Sequence, residues 1–137
     1  MDFEILNNCL YLGACILEFV SCVMKYDLEE RTLEFSKVVI GLCKKLPATI
    51  VNRNLTSQLV RSCGSVGANY IEANDSLGKK DFVLRLKISR KEAKETIYWL
   101  KLVKESNKEF ESEVNEILSE AVELRNILSS IINKVST

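Results

Sequence analysis

Apolar and small residues recur at alternating steps of four and three through three consecutive stretches, and this pattern constrains the fold more than any other feature of the chain. The first row is Leu55, Leu59, Cys63, Val66, Tyr70, Ala73 and Leu77. The second is Phe82, Leu86, Ser89, Ala93, Thr96, Leu100 and Val103. The third is Phe110, Val114, Ile117, Ala121, Leu124, Leu128, Ile131 and Val135. A mean step near 3.5 keeps a row of side chains on one side of an α-helix and is the packing seam of a helix bundle. A strand, whose side chains change face at every residue, would scatter the same rows over both faces. One proline and five glycines in 137 residues are also too few for a turn-rich β architecture, while 47% hydrophobic content supplies the core of one domain.

Four helices follow. The first is predicted over residues 28–46, with Asp27 and Glu30 spaced as a capping box, a stripe of Leu28, Phe35, Val38, Val39, Leu42 and Leu46, and Pro47 as its stop. The second is predicted to start after the asparagines at 52 and 54 and to run to about residue 76, with Gly78 as its C-terminal stop. The third is predicted over 81–106 and the fourth over 110–134, where Glu109, Glu111 and Glu113 suit the positive end of the helix dipole. Short connections make neighbours antiparallel, so the fold class is all-α, an up-down four-helix bundle.

Two helices carry a second apolar face. On the second, Val60, Gly64, Gly67 and Ile71 fall on a stripe away from the core seam, and each helix-interior glycine costs about 1 kcal/mol against alanine. On the third, Leu84, Ile88, Trp99 and Leu102 lie nearly opposite Leu86, Ala93 and Leu100. A helix apolar on two sides is buried on two sides. These eight residues are therefore candidates for an oligomer interface, the alternative being that the N-terminal segment folds back over them.

Formal charge balances, with 19 basic and 19 acidic residues, but it is unevenly placed. Residues 79–108 hold ten basic and four acidic side chains, whereas residues 109–137 hold six glutamates against Arg125 and Lys134. Lys80, Lys87, Lys94 and Lys101 repeat every seven residues with Lys91 beside them, a line that can track a phosphate backbone. Its two blander readings are a solvated helix face and a face paired with the acidic fourth helix. Glu72 and Arg90 flank the seams of the second and third helices and are predicted to form a structural ion pair. Tyr70, Tyr98 and Trp99 are candidates for stacking on bases, although Tyr70 lies on the core seam, where it reads as packing, and Trp99 reads better as an outward interface anchor.

Residues 27–36 (DLEERTLEFS), 61–74 (RSCGSVGANYIEAN) and 79–100 (KKDFVLRLKISRKEAKETIYWL) resemble the bacterial four-helix bundle proteins encoded within intervening sequences of 23S ribosomal RNA genes. The resemblance covers residue 24 to the C-terminus. It implies a barrel-like homopentamer, a homo-oligomeric ring. It also implies similarity to the accessory proteins of diversity-generating retroelements, which bind nucleic acid and a reverse transcriptase; no catalytic residue carries over. Similar proteins begin near Met24, so residues 24–137 are read as the bundle domain and residues 1–23 as an N-terminal extension, either translated upstream sequence or an extra helix.

Other function classes find little support. Histidine is absent, which removes the commonest general base and metal ligand. Cys9, Cys15, Cys22, Cys43 and Cys63 have no CxxC spacing, so they imply no metal site and fit reduced thiols in a cytoplasm, with Cys63 a small core residue. The apolar run at 10–24 is short, contains Glu18 and follows Asp2 and Glu4, so neither a membrane span nor a signal peptide is expected. No cofactor loop or nucleophile–base pair stands out. The expectation is a non-enzymatic scaffold that binds itself and RNA or DNA. A module that binds only a protein partner is the alternative.

Overall fold

The computed structural model describes residues 16–137, with side chains from Leu28 onward. Four long helices make up this region: α1 (Ile16–Lys45), α2 (Ile50–Asn74), α3 (Lys79–Ser106) and α4 (Glu111–Ser136), the last preceded by a 3₁₀ turn at Lys108–Phe110. No strand occurs among the described residues. Each helix packs on its neighbours in sequence, and α4 closes the square against α1. Connections of a few residues leave no room for a crossover, which makes the order up-down-up-down.

Helix ends differ from expectation in three places. Helix α1 continues through Asp27 and Met24 without a break, so Asp27 and Glu30 do not form a cap. Residues 1–15 of the N-terminal extension lie outside the described residues. Helix α2 begins before the asparagines: Thr49 is the N-cap, its hydroxyl accepting from the Asn52 amide at 3.1 Å. Gly78 does not end α2, which stops at Asn74; it precedes the first turn of α3, its carbonyl accepting from Phe82 N at 2.9 Å. Leu77 therefore sits in a connection, fully exposed, and has left the seam predicted for it.

The core otherwise follows the predicted rows. Leu59, Leu86, Leu100, Val103, Val114 and Leu128 have no solvent exposure, and Val39 and Leu42 supply the α1 layer. Val38 is the exception on α1, half exposed beside Val39. Ile97 and Ile132 are buried although they stand outside the strict alternation. A straight helix drifts about 20° per heptad against a 3.5-residue repeat, so flanking positions enter the core along its length.

The polar seam residues are satisfied between helices. Ser89 donates to Val66 O at 2.6 Å, Thr96 to Ser62 Oγ at 3.0 Å, and Ser36 to Cys63 O at 3.2 Å. Among the described residues no buried side-chain nitrogen or oxygen lacks a partner. These small hydroxyls let α2 approach α3 and α1 closely. Cys43 and Cys63 are free thiols on the α1 and α2 side of this packing. Burial, with Cys63 nearby, pushes the Cys43 thiol up to about 11, and burial raises Cys63 likewise, so neither is a ready nucleophile at neutral pH.

Gly67 belongs to the α1–α2 packing and not to a second, outward face. A Cβ at Gly67 would stand 2.9 Å from Thr32 Oγ1 and 3.2 Å from Thr32 Cβ. Thr32 is buried, and its hydroxyl is held by Leu28 O at 2.8 Å. A Cβ at Gly64 would meet nothing within 4 Å. The two glycines should therefore respond oppositely to alanine. Gly67→Ala is expected to lower stability by about 1–3 kcal/mol through overpacking. Gly64→Ala should raise it by up to about 1 kcal/mol through helix propensity. Urea denaturation of the two variants tests this; equal shifts of the midpoint would contradict it.

Candidate nucleic-acid interface

Helix α3 buries Leu86, Ser89, Ala93, Thr96, Ile97, Leu100 and Val103 on one side. At 100° per residue, Lys80, Lys87, Lys91, Lys94 and Lys101 cluster on the other. All five are exposed, and none lies within ion-pair distance of an acid. Three other bases of the segment are engaged: Arg85 with Asp81 at 3.6 Å, Lys104 with Glu111 at 3.5 Å and Lys108 with Glu105 at 2.9 Å.

The acidic fourth helix turns its charge the other way. Arg31 of α1 lies between Glu120, at 2.6 and 3.0 Å, and Glu123, at 2.8 Å. Its guanidinium is held above its ordinary value, chiefly by the Glu120 hydrogen bond, against partial desolvation. Lys45 of α1 pairs with Glu113. Among the described residues the one ion pair between α4 and α3 is at Lys104, outside the five-lysine line. Between α1 and α4 a groove of about 360 Å³ remains, lined by Phe35, Val38 and Ile117, by Glu34, Glu113, Glu116 and Glu120, and by Arg31, which pairs with Glu120.

The candidate interface residues separate into two groups. Val60, Ile71 and Leu84 are exposed, and Gly64 faces open space. Ile88 and Leu102 are half-buried. Gly67 is turned inward, as described, and Trp99 packs against the edge of the core, so its expected outward role is only partial. Leu33 and Ile40 of α1, 51% and 41% exposed, belong with the first group and were missed. They stand one residue from Thr32 and four from Ser36, the residues that touch α2 at Gly67 and Cys63, and so flank the same seam as Val60 and Ile71. Their seven-residue spacing was the available signal.

The predicted Glu72–Arg90 pair does not form. Glu72 is exposed beside Ile71, one position outside the seam, and Arg90 is half-buried without an acidic partner. Serine and threonine hydroxyls fill the α2–α3 seam instead. The polar tie at that end of the bundle joins Asn74 to Glu29 at 2.8 Å. Tyr70 is buried in the core, as its position implied, whereas Tyr98 is 57% exposed. The described residues contain no cluster of side chains suited to a metal ion. No helix among them is long and apolar enough to cross a membrane.

Fold and surface together define an all-α protein of the up-down four-helix-bundle class with one cationic helix face. The chain belongs to the 23S rRNA-intervening sequence protein family, whose model matches residues 24–130. It is similar to the crystal structure of a protein of unknown function from the S23 ribosomal protein family of Bacteroides thetaiotaomicron VPI-5482. The two are 30% identical with a TM-score of 0.69, and the match covers 77% of this chain and 97% of that one. Among curated proteins, none matches.

Proposed function

We propose that this chain is a non-enzymatic, cytoplasmic scaffold that assembles with copies of itself, in a ring such as the pentamer the family resemblance implies, and binds nucleic acid along α3. The observation that carries the reading is the line Lys80, Lys87, Lys91, Lys94 and Lys101, exposed and free of acidic partners while Glu113, Glu120 and Glu123 of α4 are occupied on α1. Unpaired ammonium groups in a row are available to displace counterions from phosphates. Exposed Leu33, Ile40, Val60, Ile71 and Leu84 supply apolar surface for self-association, which would repeat the line and raise its local potential. Reduced Cys43 and Cys63 fit a reducing compartment.

The test is binding of purified protein to structured RNA and duplex DNA across a salt series, with light scattering on the same samples. Binding that falls steeply with salt, by a log–log slope of about −0.7 to −0.9 per phosphate contact, is the expected result. A monomer at micromolar concentration would remove the scaffold part of the reading, and no binding at low salt would remove the nucleic-acid part. In that event the α1–α4 groove, where Glu116 is in no ion pair beside the apolar Phe35, Val38 and Ile117, favours the second reading, a module that holds a basic protein partner.

A further inference from the structure

One aromatic ring stands inside the lysine line. Tyr98 is 57% exposed and is the only aromatic residue among the described ones that lies mostly in solvent. It follows Lys94 by four residues and precedes Lys101 by three, the spacings at which helix side chains lie side by side. At 1.5 Å per residue the two lysines are about 10 Å apart along the axis, with the ring between them. Glu95 is its nearest acid on the same helix, three residues before it. Trp99 supports the ring: their centroids are 5.1 Å apart and their planes 72° apart, an edge-to-face contact. Trp99 is itself packed against the core, so the Tyr98 ring is backed by a fixed neighbour on one side while more than half of the residue stays in solvent.

We propose that Tyr98 is a stacking platform for an unpaired base, and that the ligand of this face is single-stranded nucleic acid whose phosphates run along Lys87, Lys91, Lys94 and Lys101. This rests on the reading of the lysine line given above. In a duplex the base faces are covered by their neighbours, so a ring on the outside of a helix meets only sugar and phosphate. An unpaired strand offers a base face, and stacking on an aromatic ring tolerates any base. Ammonium groups and a ring face recognise phosphate charge and a π-surface, which RNA and DNA share. Strands of either kind and the same sequence should therefore bind alike.

The experiment measures affinities of wild type, Tyr98→Ala and Tyr98→Phe for one labelled oligonucleotide sequence as single-stranded RNA, single-stranded DNA and duplex. The expected result is tighter binding of both single strands than of duplex. Tyr98→Ala should weaken single-strand binding roughly 5- to 100-fold and leave duplex binding and subunit count unchanged, and Tyr98→Phe should bind as wild type. An unchanged Tyr98→Ala, in a protein whose binding is still lost when the lysines are reversed, would overturn the stacking inference and leave the nucleic-acid reading standing. A smaller assembly, or equal losses for duplex and single strand, would make Tyr98 a subunit contact and overturn it as well. Wild type that binds no nucleic acid would remove both.

Discussion

Reversing three charges, with Lys87, Lys91 and Lys94 all replaced by glutamate, should abolish nucleic-acid binding at moderate salt and leave the helices and their assembly intact. Each replacement removes a cation and places an anion against the phosphate track, so the change is six charges over two turns of α3. If each lysine makes one phosphate contact, the salt slope falls by about two to three units, and affinity near physiological salt drops about 100-fold or more. Folding should not suffer, because the three side chains are exposed and form no ion pair that reversal would break. Circular dichroism and light scattering serve as controls, and fluorescence anisotropy reads the binding. Wild-type affinity in a folded triple variant would reduce the line to a solvated face. Turning α3 acidic should also leave a basic protein partner bound at the α1–α4 groove untouched, which separates the two proposed functions within one experiment.

The rows on α3 and α4 could be read because their periodicity runs for six and seven steps, about three heptads each, without a glycine or proline, and every helix turn adds the same information. Seams that depend on one residue were harder. Asp27 and Glu30 have the spacing of a cap, yet α1 begins no later than Ile16 among the described residues, and local spacing does not exclude a longer helix. Asn52 looks like a cap on polarity alone; its burial follows from a contact with Asn107, 55 residues away. Gly67 reads as part of the outward stripe because a glycine shows no apolar or polar preference, and only the approach of Thr32 reveals its side. The exposure of the five lysines was legible from helix angle. Their freedom from α4 was not, because α4 borders both α1 and α3 and the choice depends on where Arg31 and Lys45 fall along the axis.

Asn107→Ala should be as damaging as truncating a core leucine, lowering stability by about 2–4 kcal/mol. The Asn52 and Asn107 amides bond reciprocally, at 2.8 and 2.9 Å, in a site closed to water. Each also reaches backbone: Asn52 donates to Pro47 O at 2.9 Å and Asn107 to Val103 O at 2.8 Å. The pair thereby ties the α1–α2 connection to the α3–α4 connection, at the one end of the bundle where both chain reversals lie. Truncating Asn107 orphans the Asn52 carbonyl and the Val103 carbonyl and leaves a void. Burying an unmade hydrogen bond costs more than the bond contributes when formed, which is why one truncation is severe. Truncating Asn52 as well should cost much less than the sum, because its amide no longer needs a partner, giving a coupling of about 1–3 kcal/mol in a double-mutant cycle. Urea denaturation measures all four proteins, with an unchanged slope showing that the native fold is kept. Additive losses would mean that the two amides act separately, each through its own backbone bond, and that the connections are not tied to one another.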